Sequence, residues 1–205
     1  MTITTYSALK TAIADFLNRD DLTSVVPTFI ALAEARFNRD LRTWRQETRV
    51  TVSLTGQYNA VIPADFAQPI RLQLLNGPTA ELEPISVSQM LEMRADRNDM
   101  TGVPTHYAIT GGQLEIFPTP AETYSASLVY YAKVPALSDV ATSNWLLTDA
   151  PDVYLYGALV HSAPYLKDDA RVAIWESLHA SAVMALNVQS QNVKYGGTGL
   201  RMRVR

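Results

Sequence analysis

Apolar residues recur at helical spacing in the first part of the chain. From Tyr6 to Leu17 they return every three or four positions, which is the spacing of one face of an α-helix. The same period runs from Leu22 to Leu41, where Pro27 suits the first turn because that turn makes no use of its missing N–H. The pattern therefore predicts a pair of amino-terminal helices.

From about Trp44 the apolar period changes to two, which is typical of half-buried strands. Strands are predicted over residues 45–54, 58–62, 70–75, 105–110, 113–117 and 124–133. Gly56 marks a turn that should return residues 58–62 as the partner of the preceding strand, and Gly111-Gly112 predicts a tight hairpin because such turns need positive φ angles. One short helix, Ser86 to Asp96 with Ser86 as its cap, is expected within this antiparallel β lobe.

Helical spacing resumes near residue 147. Asp149 can cap a helix whose first turn holds Pro151, and the segment is apolar almost all round as far as Leu166, which predicts a central position. A last helix runs to about Val193. The predicted fold is α+β: a four-helix bundle with an inserted antiparallel β lobe and an extended carboxyl-terminal tail, called the arm. The expected boundaries are 1–44 and 137–194 for the bundle, 45–136 for the lobe and 195–205 for the arm.

The arm is cationic and alternating. No acidic residue follows Glu176. A glycine-rich stretch at 195–199 favours a flexible joint, and beyond it Leu200, Met202 and Val204 alternate with Arg201, Arg203 and Arg205. This is the period of a strand with one apolar and one cationic face, yet so short a strand does not order alone. Three alternatives stay open: a disordered arm, a strand added to its own sheet or another subunit's, and phosphate contacts with nucleic acid.

Composition excludes several classes of protein. The 205 residues are 47% hydrophobic and 18% charged, which suits a globular core. A net charge of −3 disfavours a protein that coats nucleic acid, and the absence of cysteine excludes disulfides and thiolate metal sites. No apolar run approaches the roughly 20 residues of a membrane helix, and the amino terminus lacks a signal-peptide pattern. We therefore expect a soluble protein with no membrane contact.

No motif in the sequence predicts catalysis or cofactor binding. His106, His161 and His179 have no second ligand at metal-binding spacing, and they are expected to be packed or surface residues. The 196–199 segment lacks the preceding strand and following helix of a phosphate loop. We therefore expect no catalytic residue, no cofactor, no metal and no enzymatic activity.

Arginines form a row on the second predicted helix. Arg36, Arg39 and Arg42 are spaced by three and so share one face, interleaved with Glu34 and Asp40. Two interpretations stay open for this row: a solvated face, or a charged contact between subunits.

Two helical segments carry a family resemblance. Residues 27–42 (PTFIALAEARFNRDLR) and 147–159 (LTDAPDVYLYGAL) resemble segments of tailed-bacteriophage head-to-tail adaptor (connector) proteins, and the order of elements matches over the whole chain. The resemblance implies a homo-oligomeric ring, expected to be a dodecamer, assembled in the host cytoplasm and seated in the virion beneath the portal protein. DNA would pass through its channel without specific binding.

The resemblance also implies a role for each surface. The arm, Leu200 to Arg205, would bind the portal, while the β lobe would face a tail or nozzle protein. The row of Arg36, Arg39 and Arg42 would meet a neighbouring subunit.

Three alternatives stay open at this point. The first is another phage neck or tail-completion structural protein. The second is a carbohydrate- or peptide-binding module that uses lobe tyrosines, which would otherwise pack the sheet: Tyr107, Tyr124, Tyr130 and Tyr131. The third is an enzyme with an unrecognised carboxylate site.

Overall fold

A computed structural model describes residues 2–77, 81–98, 100–166 and 170–196. The chain divides into two compact units. The helical unit comprises Met1–Arg45 and Val134–Arg205, and the β unit comprises Gln46–Lys133. Within the described ranges the structure contains six α-helices together with antiparallel sheets, so the predicted α+β class is confirmed.

Four of the helices in the described residues begin and end within four residues of the predicted positions, whereas one short helix was not predicted and the central helix ends at His161, before the predicted Leu166. They are α1 (Tyr6–Leu17), α2 (Val26–Asp40), α3 (Val87–Asp96), α4 (Trp145–Asp149), α5 (Pro151–His161) and α6 (Arg171–Tyr195). The hydroxyl of Thr5 caps α1 by accepting the Ala8 N–H at 3.2 Å. Ser86 and Gln89 form a capping box at the start of α3, in agreement with the cap expected from the sequence.

Helix α5 is the centre of the helical unit. It packs against α1, α2, α4 and α6, and Val153, Tyr154 and Leu159 are completely buried. Gly157 allows α2 to come close, since a Cβ at this position would lie 2.9 Å from the Phe37 ring. The predicted four-helix bundle is not confirmed, because α4 is an additional helix and α5 has helices packed around it.

The predicted cap of α5 is wrong. Asp149 is the last residue of α4, and α5 begins after Ala150, which makes no side-chain capping bond. Asn144 caps α4 instead, accepting the Leu147 N–H at 2.9 Å. Asp149 forms an ion pair with Arg45 at 3.0 Å. The extra short helix thus takes up the residues that the sequence assigned to the start of α5.

The β unit contains two main sheets and a short strand pair. Its strands are β1 (Glu47–Thr55), β2 (Asn59–Val61), β3 (Phe66–Leu74), β4 (Glu83–Pro84), β5 (Thr101–Gly102), β6 (His106–Thr110), β7 (Gln113–Phe117), β8 (Thr119–Pro120) and β9 (Thr123–Ala132). The sheets have the orders β1-β9-β3 and β2-β7-β6-β4, and β5 pairs with β8. The two-residue strands make the parallel pairs, β4 with β6 and β5 with β8. The other ladders are antiparallel.

The β6–β7 hairpin is confirmed, with φ of 57° at Gly111 and 82° at Gly112. The predicted pairing of β1 with β2 is wrong. β1 pairs with β9 along its whole length, from Glu47 opposite Tyr131 to Thr55 opposite Thr123, and β2 pairs with β7. The longer ladder satisfies more backbone groups, and it places the apolar face of β1 on the core of the unit.

Candidate interaction surfaces

The residues predicted to bind the portal, Leu200 to Arg205, lie outside the described residues, which end at Gly196. Helix α6 continues through Tyr195, two residues beyond its predicted end. The portal-binding role of the arm therefore stays a prediction.

Arg36 joins α2 to α6 within the chain. Its guanidinium donates to both carboxylate oxygens of Glu176, at 3.0 and 2.6 Å, and it contacts Asp40 at 3.3 Å. Hydrogen bonding to Arg36 lowers the pKa of Glu176, and the Glu176 carboxylate raises the pKa of Arg36. Arg36 thus stabilises the helical unit, and a contact with another subunit is not needed to explain it.

The other two arginines of the row are placed differently. Arg39 is exposed on α2. Arg42 is half-buried just beyond the end of α2, and it donates to the carbonyl oxygens of Asn38, at 3.1 Å, and Leu41. Arg39 is therefore the member of the row with its side chain most open to a partner, and the subunit contact stays a prediction.

The exposed side of α6 has no formal charge over a long stretch. Residues 177–193 contain no Asp, Glu, Lys or Arg, and Met184, Val188 and Val193 are respectively 68%, 48% and 57% exposed. A groove of about 470 Å³ runs along this side against α2 and contains Arg36 and His179 among its lining residues. An uncharged, partly apolar helix surface of this length is unusual for a face in water and is typical of a contact surface.

Two side chains of α2 hold the chain where it re-enters the helical unit. Asn38 accepts the Val134 N–H at 2.8 Å, and the buried Glu34 accepts the Leu137 N–H at 2.7 Å. Tyr154 donates to the same Glu34 oxygen at 3.1 Å. Burial raises the pKa of Glu34 despite these hydrogen bonds. Sequence reasoning missed this role, although a glutamate among the apolar positions of α2 was a visible signal.

The histidines are packing residues or surface residues. His179 is 1% exposed and lies 5.8 Å from the Phe37 ring, and burial lowers its pKa. Burial likewise lowers the pKa of His161. His106 contacts the Thr105 hydroxyl at 2.8 Å. Among the described residues no three His, Asp or Glu side chains are grouped as a metal site.

Three of the four lobe tyrosines belong to the core of the β unit. Tyr107, Tyr124 and Tyr130 are at most 7% exposed. Tyr130 stacks on Phe66 at 5.5 Å and donates to Asp65 at 2.9 Å, and burial first, then this hydrogen bond, raises its pKa to about 12. These rings are not available to stack on a sugar or peptide, so the structure disfavours a binding module that uses them.

A second groove lies in the β unit between β1 and β2. It has a volume of about 630 Å³, and all the residues that line it are uncharged. They are Val50, Thr51, Val52, Ser53, Thr55, Gln57, Asn59, Ala60, Val61, Ile62 and Pro63. The lining offers apolar, hydroxyl and amide side chains, and it contains no carboxylate, histidine or lysine that could act as an acid or base.

None of the helices in the described part of the chain is both long and apolar enough to span a membrane.

Comparison with known proteins identifies the family. No curated protein matches the chain significantly. A family profile, described as SU10 adaptor protein, matches residues 4–203, which is nearly the whole chain. The resemblance seen in the sequence is thereby confirmed: the chain belongs to the SU10 adaptor protein family, a family of bacteriophage head-to-tail adaptors.

Proposed function

We propose that this protein is the subunit of a ring that joins the portal to tail components at the head-to-tail junction of the virion. The observation that supports it best is the family match over residues 4–203, which includes both units. In this proposal the subunits assemble in the host cytoplasm into a homo-oligomer, expected to be a dodecamer. The chain acts as a structural protein without a catalytic role or a cofactor.

The surfaces of the chain divide these contacts among them. The arm, Leu200 to Arg205, binds the portal protein, and the β unit faces the tail or nozzle protein. Neighbouring subunits meet through the helical unit, where the row of Arg36, Arg39 and Arg42 is the predicted contact. The exposure of Arg39 supports its part in it, while Arg36 acts through Glu176 within its own subunit.

The bulk charge supports passage of DNA without specific binding. The chain has a net charge of −3, so a ring made of many copies has, as a whole, no excess of positive charge to retain a phosphate backbone. Positive charge is concentrated locally in the arm, which contains three arginines, and in the row of Arg36, Arg39 and Arg42.

The test is assembly with the cognate portal protein. Purified chain and portal are mixed, separated by size exclusion and imaged by electron microscopy, where a ring stacked on the portal is expected. A variant that ends at Gly196 should lose the complex, whereas a full-length variant with lysine at 201, 203 and 205 should keep it, because the charge is preserved.

The outcomes separate the parts of the proposal. Failure of the full-length chain to form any complex with the portal would refute the adaptor function. Unchanged binding by the shortened variant would refute only the portal-binding role of the arm.

A further inference from the structure

Both strands that flank the groove of the β unit are edge strands. β1 is the outer strand of its sheet and pairs only with β9 among the described residues, and β2 is the outer strand of the other sheet and pairs only with β7. From Val50 to Thr55 the second edge of β1 therefore has no ladder partner in the described structure. Open strand edges are sites where a further strand can add.

The groove follows these open edges. Successive side chains of a strand point to opposite faces of its sheet. The groove is lined by consecutive residues of each strand, Val50 to Ser53 of β1 and Asn59 to Val61 of β2. It therefore runs along the strand edges rather than across one face of a sheet. Val50, Val52 and Ile62 are partly buried against the core, which gives the floor of the groove an apolar character.

We propose that this groove accepts residues 200–205 of a second copy of the chain as an added β-strand. The segment alternates Leu200, Met202 and Val204 with three arginines, so one face of the strand is apolar and the other is cationic. Its backbone would pair with the open edge, its apolar face would cover the groove floor, and its arginines would remain in solvent. The inference rests on the proposed ring, in which copies lie side by side.

The charges of the two partners are complementary. Residues 46–133 contain nine acidic and five basic side chains, a net charge of −4, whereas residues 177–205 contain no acidic side chain. The uncharged groove lining presents no unpaired charge that an apolar strand face would bury. A cationic strand is thus attracted to the β unit as a whole while its apolar face enters an uncharged site.

The contact contributes to assembly because the arm of one copy binds the groove of another copy. The nine residues after Gly196 span at most about 30 Å when extended, so an arm reaches only an adjacent partner. One such contact per subunit adds across a closed ring. The portal would use the same six residues, and any one arm can occupy only one acceptor. We therefore expect the arm to occupy the groove before the adaptor meets the portal, and the portal then competes with the groove for the arm.

Disulfide cross-linking tests the contact directly, because the chain has no native cysteine. Ser53 is exposed in the groove and lies on the face of β1 opposite Val52, which is the side that the arginines of an added strand would occupy. A Ser53→Cys protein is therefore mixed with an Arg203→Cys protein whose thiol is activated as a mixed disulfide. A cross-linked dimer is expected, since a disulfide needs the two Cα atoms within about 7 Å. The control places the cysteine on exposed α1, as Thr11→Cys.

Cross-linking of Ser53→Cys no greater than that of Thr11→Cys would overturn the groove as acceptor. A double variant with both cysteines in one chain distinguishes the copies. If that variant forms its disulfide only within monomers, and the mixed single variants form none, the arm binds its own β unit and the proposal of a second copy is wrong.

A peptide of residues 197–205 provides a test of strand pairing. The acceptor is a full-length variant whose own arm cannot compete, with Leu200, Met202 and Val204 changed to Asp. Fluorescence anisotropy should show saturable binding that weakens at least tenfold when either the Met202 amide or the Arg203 amide is methylated, because successive backbone N–H groups point to opposite edges of a strand and one of the two must pair with the acceptor edge. Val61 is 77% exposed on the groove wall, so Val61→Lys should weaken binding and Val61→Glu should strengthen it.

Unchanged binding by both the peptide methylated at residue 202 and the peptide methylated at residue 203 would overturn strand addition. This result is independent of the portal experiment. A chain that joins the portal but fails both groove tests keeps the proposed function and loses this inference. A chain that passes both and never joins the portal loses the function and keeps the contact.

Discussion

Glu34 is a buried acid whose protonation should stabilise the protein. Burial raises its pKa above the ordinary 4.5 in the folded state. A raised folded pKa contributes stability that is full below the unfolded pKa and is lost as pH rises through the folded pKa. We therefore expect the free energy of unfolding of the wild type to increase relative to that of Glu34→Gln as the pH falls from above the folded pKa to below the unfolded pKa.

The measurement is urea unfolding at several pH values for both proteins. Glutamine keeps an acceptor for the Leu137 N–H, so the comparison removes the titration and little else. Glu122→Gln, at an exposed position, is the control and should show no comparable trend. A difference between wild type and Glu34→Gln that does not vary with pH would show that the pKa of Glu34 is the same in the folded and unfolded protein, so that its hydrogen bonds offset the effect of its burial.

The Arg36–Glu176 pair should have the opposite pH dependence. Hydrogen bonding to Arg36 lowers the pKa of Glu176, so its stabilisation is present above the unfolded pKa and is lost as the pH falls through the folded one. Both side chains are partly exposed, at 24% and 45%, so a double-mutant cycle with Arg36→Met and Glu176→Gln should give a coupling of about 0.5 kcal/mol at neutral pH.

The pair Lys10–Asp139 provides the comparison, because Asp139 is 84% exposed and solvent screens the interaction. The same cycle on this pair should give no measurable coupling. Equal coupling in the two pairs would mean that the bidentate geometry at Arg36 does not matter.

At the scale of elements, the approach of α2 to α5 depends on Gly157. A Cβ there would lie 2.9 Å from the Phe37 ring and 3.3 Å from His179. Alanine favours a helix by roughly 1 kcal/mol over glycine, but overpacking costs about 1–3 kcal/mol. We expect Gly157→Ala to lower the free energy of unfolding, measured by urea denaturation.

Phe37→Leu should relieve the clash. The double variant with Gly157→Ala is then expected to lose less stability than the sum of the two single losses, since the residues are in contact. If the stability losses of the two single variants simply add in the double variant, the loss caused by Gly157→Ala does not come from contact with Phe37.

Periodicity and caps predicted the elements well where the signal is local. The helical spacing, Pro27, Ser86 and the Gly111-Gly112 turn fixed α1, α2, α3 and the β6–β7 hairpin to within a few residues. The partner of β1 could not be predicted in this way. Its ladder joins residues far apart in sequence, such as Glu47 and Tyr131, and the choice depends on which strand buries the apolar face.

The candidate surfaces show the same limit. The run without charge after Glu176 is visible in the sequence, and so is the row of arginines. Which of these side chains meet each other is not, because Arg36 and Glu176 are joined only when α2 and α6 pack side by side. The hydrogen bond from Leu137 to Glu34 likewise needs the tertiary fold.

At the scale of the whole molecule, the proposed ring makes many weak contacts act together. Each arm offers only six alternating residues and three positive charges, a contact too small to be strong alone. Linked through a ring, such contacts multiply, because each arm already held raises the effective concentration of the next. The strength of portal attachment should therefore depend steeply on the number of intact arms.

Mixed assemblies measure this dependence. Full-length chain and a chain ending at Gly196 are combined in known ratios, and attachment to the portal is measured by sedimentation. We expect attachment to fall faster than the fraction of intact arms, and to fall sooner at higher salt, which screens the arginine contacts. Rings diluted with the triple lysine variant at 201, 203 and 205 should show no such fall. A strictly proportional decline would mean that each arm binds independently and that the ring contributes no multivalency.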